Sequence, residues 1–125
     1  MFTHAFLGSN DVERSRTFYD AIMGVLGIRN VMPADAPSMA YNNGKGTLVV
    51  GKPYNGEPAT YANGGTLGLS AGDDAEVDAW HAAGLAAGGT DDGAPGPRER
   101  APGGARGAYL RDPDGNKLCC FNMPK

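Results

Sequence analysis

Few side chains of this 125-residue chain could carry chemistry by themselves. It has two histidines, His4 and His81, and two cysteines, which stand side by side as Cys119 and Cys120. An imidazole titrates near neutral pH and serves as a general base or a metal ligand. A thiol beside an imidazole is the smallest unit of thiol catalysis, provided its pKa is lowered. The cysteines sit in DPDGNKLCCF, where a turn signal runs into a strand signal. Neighbouring strand residues point to opposite faces, so Cys119 and Cys120 are poorly placed to bond each other. With no third cysteine to pair with, free thiols in a reducing, cytoplasmic setting are the expectation.

Bulk properties narrow the partners. A net charge of -3 without a run of Lys or Arg argues against nucleic acid or an anionic membrane surface. No stretch approaches the roughly 18 apolar residues that span a bilayer, and MFTHAFLGSNDVERS lacks the pattern of a signal peptide. A hydrophobic fraction of 41% supports a real core, while 20 glycines and nine prolines punctuate many short elements. A small neutral or anionic molecule is the expected partner.

The elements that must position these residues follow from periodicity. Phe2 to Leu7 reads as a strand. Asn10 is then the expected helix cap, with Glu13 returning the bond, and the helix runs to about Leu26 with Phe18, Ile22 and Leu26 on its inner stripe. Ile28 to Met32, Ser38 to Tyr41 and Thr47 to Gly51 read as strands, and Pro53 to Asn63 as a connecting loop. The pattern then restarts. Thr66 to Ala71 is a strand, Asp73 a cap, and Asp74 to Ala87 a helix whose inner stripe holds Val77, Trp80 and Gly84. His81 is expected at the helix surface or partly buried. Gly107 to Arg111 and Lys117 to Asn122 form a final hairpin around Asp112-Pro113-Asp114-Gly115.

The halves match at an offset of sixty-two to sixty-three residues, pairing Thr3-His4 with Thr66-Leu67 and Phe18-Tyr19 with Trp80-His81. This predicts an α+β fold of two βαβββ modules whose sheets combine into a cup, with helices on the outer side. Residues 1–125 form one domain in this reading: a first module to about residue 53, a linker of about 54–63, and a second module from about 64.

Three separated segments, THAFLGSNDVERSRTFYDAIMGVLGI, GGTLGLSA and AYLRDPDGNKL, closely resemble the vicinal oxygen chelate superfamily of glyoxalase I, extradiol dioxygenases and bleomycin and fosfomycin resistance proteins. The resemblance covers nearly the whole chain. It implies a divalent metal in the cup, held by a His of the first strand, a Glu or similar residue of the fourth, a His of the fifth and a Glu of the eighth. His4 matches the first ligand. Leu67 stands where the second His is expected, TLVVG offers only apolar groups near Val49, and Cys119 stands where the last Glu is expected. Exchange of modules in a homodimer would supply the same residue types, and so would not restore the missing donors.

The resemblance therefore implies a degenerate metal centre in a protein that binds a small molecule in the cup, with no cofactor expected and a homodimer as the assembly. An active metal-dependent lyase or dioxygenase, using His4 and ligands not recognised in the sequence, is the alternative. A second alternative is thiol chemistry at Cys119. In this register Cys119 and Phe121 face the cup, and Leu118 and Cys120 face the helices. Met39, Tyr41, Leu67, Tyr109 and Arg111 join His4, Cys119 and Phe121 as the expected cup lining. Arg98, Arg100 and Arg106 flank a Gly/Pro segment, PRERAPGGAR, that reads either as a solvated loop or as a flap able to close over a ligand and attract an anion.

Overall fold

The computed structural model describes residues 1–125. The first strand, β1 (His4–Gly8), leads into helix α1 (Val12–Val25). The cap of α1 is Asp11, not Asn10: its carboxylate accepts the N–H of Arg14 at 3.1 Å. Asn10 is occupied elsewhere, accepting the N–H of Ala59 at 2.7 Å and donating to the Ala59 carbonyl at 3.0 Å. Glu13 pairs with Arg16 instead of closing a capping box. After Leu26 the chain turns through Gly27, whose φ of 74° suits glycine, and the Ile28 N–H reaches back to the Met23 carbonyl.

Two strands follow, β2 (Ser38–Asn42) and β3 (Thr47–Gly51). The strand expected over Ile28 to Met32 shrinks to one bridge between Asn30 and Tyr41. The Asn30 side chain explains this, since its Oδ1 takes the N–H groups of both Met32 and Ala40 and replaces the backbone ladder. The first sheet has the order β1-β3-β2, with β1 parallel to β3.

The second half repeats the scheme with β4 (Leu67–Ser70), α2 (Asp74–Ala86), β5 (Thr90–Pro97), β6 (Arg106–Arg111) and β7 (Lys117–Asn122). Asp73 caps α2 through the Glu76 N–H, and Glu76 returns a bond to the N–H of Gly72. β5 is a strand in a Gly- and Pro-rich stretch to which the sequence pattern assigns no element. It lies at the sheet edge and is bulged, with register shifts at Gly93, and an edge position tolerates proline. The second sheet has the order β4-β7-β6-β5.

One core joins the halves. Phe18, Tyr19, Ile22 and Met23 of α1 meet Val77 and Trp80 of α2 and the inward residues of β2, β3, β6 and β7. The helices approach closely at Gly84, where a Cβ would lie 2.3 Å from Leu110 Cδ1 and 3.2 Å from Ile22 Cγ2.

A second tie is polar. Asp112, 2% exposed, accepts hydrogen bonds from the Tyr19 hydroxyl at 2.6 Å, the Asn116 amide at 2.8 Å, and the backbone N–H groups of Asp114 and Asn116. Asp114 accepts from the Asn10 N–H, the Arg14 guanidinium and the Ser15 hydroxyl, so its charge sits beside the N-terminus of α1. The Asn116 amide also donates to the Gly8 carbonyl. The DPDGN turn thus fastens the last hairpin of one half onto the first helix of the other.

Candidate functional site

Strand alternation fixes what the second sheet offers on each side. Leu118 and Cys120 of β7 enter the helix-side core, while Cys119 and Phe121 turn to the opposite side and pack with Ala105, Ala101 and Tyr109. Phe121 meets Tyr109 edge to face, with ring centroids 5.8 Å apart. It lies flat over Gly107, where a Cβ would come within 2.4 Å of the ring. Gly68 on β4 stands beside Cys119 in register, and its missing side chain leaves the thiol uncovered from that direction.

On this face opens a cavity of about 680 Å³. Gly68, Ser70, Tyr109, Cys119, Phe121 and Met123 form its walls, and the segment Arg98 to Pro102 forms its rim. The Arg98 guanidinium donates to the carbonyls of Gly96 at 2.9 Å and Ala94 at 2.7 Å and lies over Tyr109, 5.6 Å from the ring centre. Lys117 approaches the same ring, at 5.0 Å. Backbone bonds from the Arg98 N–H to Ala105 and from the Ala101 N–H to Arg98 fold the segment over the sheet.

A second cavity, of about 570 Å³, lies between the β1 and β4 sides and contains His4, Thr47, Thr66 and Leu67. His4 Nδ1 lies 2.8 Å from the Thr3 hydroxyl. The two cavities adjoin, sharing Gly68, Leu69 and Ser70; His4 lines the second and Cys119 the first, and the side-chain hydrogen bond of His4 is to Thr3 rather than to the thiol. Burial raises the Cys119 pKa, with Lys117 pulling the other way, which favours the neutral thiol.

Three expected cup residues pack into or against the helix-side core. Met39 is fully enclosed in the helix-side core. Tyr41 lies in that core too, where its hydroxyl donates to Asp20 at 2.7 Å, and it also lines the second cavity with His4. Leu67 also packs against this core. The caps Asp11 and Asp73 stand sixty-two positions apart, so the structural counterpart of His4 is Thr66, and that of Leu67 is Ala5. Ala5 and Leu67 both pack against the core, as the sheet alternation requires.

Arg111 serves the turn, bonding Asp92 and the Gly115 carbonyl while lying over Tyr61, and it lines neither cavity. Arg106 pairs with Asp78. His81 is 7% exposed and bonds Asp91 at 2.9 Å, tying α2 to β5. Gly68, Ser70 and Met123 escaped the sequence reading; the alternation about Cys119 could have located the first two.

The donor set does not suit a metal. No three His, Cys, Asp or Glu side chains converge, and Thr66 supplies a neutral hydroxyl opposite the imidazole of His4.

The family model described as Glyoxalase/Bleomycin resistance protein/Dioxygenase superfamily matches residues 2–120. The chain belongs to this superfamily. It is similar to the crystal structure of a glyoxalase/bleomycin resistance protein from Albidiferax ferrireducens T118, at 45% identity and a TM-score of 0.89, with 99% of each chain covered. A glyoxalase-related enzyme from Fulvimarina pelagi shares the superfamily fold at 22% identity and a TM-score of 0.79, with 99% of this chain and 88% of that one covered. Lactoylglutathione lyase from Agrobacterium tumefaciens does so at 23% identity and a TM-score of 0.67, with 98% and 92% covered. No curated protein matches the chain. The α+β architecture expected of the superfamily is present, and no helix is long and apolar enough to cross a membrane.

Proposed function

We propose that this superfamily member is a small-molecule-binding protein with a degenerate metal centre, using the cavity over β4, β6 and β7. The observation that carries the reading is the composition of that cavity. It pairs an aromatic and thiol floor with a basic rim, has a volume within the range of small-molecule sites, and lacks a convergent set of metal donors. The two modules act as one domain in this reading, the protein works in the cytoplasm with both thiols free, and it assembles as a homodimer.

The test is to fill the cavity. Gly68 has room for a side chain: a Cβ there meets only Cys119 Sγ, at 3.4 Å. Gly68→Leu should abolish calorimetric binding of small aromatic ligands while shifting Tm by no more than about 3 °C. A well-folded Gly68→Leu protein that binds as the parent does would remove the cavity from the function.

A further inference from the structure

The cavity's polar groups point to the class of molecule that fits it, an inference resting on the binding role proposed above. Arg98 spends its hydrogen bonds on two carbonyls and has no carboxylate partner. Arg100, two residues on, enters none of the chain's ion pairs. Glu99 is the one acidic residue of the lining. Two guanidinium groups against one carboxylate leave the rim with a net positive charge. Lys117, which also approaches Tyr109, shares the Asp92 carboxylate with Arg111, at 3.4 Å and 3.0 Å, and is not part of the cavity lining.

Below the rim the character reverses. Phe121, Tyr109, Met123 and the protonated Cys119 thiol present an apolar floor with an aromatic corner. A molecule matching both zones has a flat hydrophobic body and one anionic group at its end. The body lies against Phe121 and the Cys119 thiol, and the anion meets Arg100, whose fork of donors suits an oxyanion.

We propose that the cavity binds amphipathic organic anions, flat aromatic carboxylates or sulfonates, with Arg100 as the residue that selects their charge. Arg100 is exposed, so the apolar floor supplies most of the affinity and the guanidinium adds the preference for an anion.

The experiment compares two probes sharing one ring body: 8-anilinonaphthalene-1-sulfonate, an anion, and N-phenyl-1-naphthylamine, its uncharged relative. The full-length protein should bind the anion at least tenfold more tightly, at one site. Arg100→Gln should weaken the anion roughly five- to tenfold and Glu99→Gln should strengthen it, both leaving the neutral probe unchanged. Both residues are exposed, so folding is not at stake. Binding is located by the rate of Cys119 alkylation, which occupancy should slow, whereas anion bound elsewhere would leave the rate unaltered. Equal affinity for both probes with Cys119 protected overturns the charge selection but leaves the binding role standing. Failure of both probes to protect Cys119 overturns both.

Discussion

At the residue scale, the two neighbouring cysteines have unrelated environments because a strand turns successive side chains to opposite faces. Cys119 looks into the cavity, and burial raises its pKa. Cys120 is fully buried on the helix side, where burial first and the nearby Cys119 second push its thiol up to about 12. Cys119 should therefore alkylate slowly at neutral pH, at a rate still climbing above the usual thiol range, and Cys120 should react only on unfolding. Mass spectrometry of partially alkylated protein checks both. Rapid Cys119 alkylation at pH 7 would instead revive the thiol-chemistry reading. The cavity-filling substitution at Gly68 belongs to this scale too, since the missing side chain of one residue sets how much of Cys119 a ligand can touch.

At the scale of elements, the DPDGN turn has a second task beyond reversing the chain. Asp112→Ala should cost about 3 kcal/mol, because it strands the buried Tyr19 hydroxyl and three further donors at once. Tyr19→Phe removes one donor of four and should cost only about 1 kcal/mol. Urea denaturation of the two variants gives the comparison, and equal losses would contradict this account of the network. The same elements set the alkaline limit. Tyr19, raised by burial and by Asp112, and Cys120 are acids whose neutral forms the fold favours, so the unfolded chain releases their protons first. Stability from these groups is whole below pH 9, the ordinary thiol value, and falls as the pH rises towards 12. Asp91 acts at the opposite end. The Gly93 N–H and then His81 lower its pKa, so its contribution is present above the ordinary carboxylate range and is lost as pH falls through the lowered value.

At the scale of the molecule, the shared helix-side core binds the two halves, while the opposite side of the first sheet stays open. Phe6 on β1 is 50% exposed and Phe2 before it 79%. β1 and β4 meet across the second cavity, and β2 and β5 are the outer edge strands of the two sheets. These surfaces support the proposed homodimer. Light scattering should give twice the chain mass at micromolar concentration, with Phe2→Ser/Phe6→Ser shifting the protein towards the monomer; a parent protein that stays monomeric would exclude this assembly.

The sequence by itself determined the repeated order of elements, both helices, the final hairpin and the superfamily, because caps, helical stripes and turn residues act locally and are legible locally. It also determined the opposed faces of Cys119 and Cys120, which require only strand alternation. It missed β5, whose pairing with β6 overrides an unfavourable Gly- and Pro-rich composition, and it overstated the strand at Ile28 to Met32, where one asparagine side chain displaces the ladder. Only tertiary structure decided that Met39, Tyr41 and Leu67 face the helices, since a one-residue change in assumed register reverses every side chain of a strand. Tertiary structure likewise put His4 and Cys119 on adjoining cavities, laid Arg98 over Tyr109 and brought Arg100 to the cavity that Phe121 lines, because contacts between distant segments depend on how the sheets pack, and no local pattern encodes them.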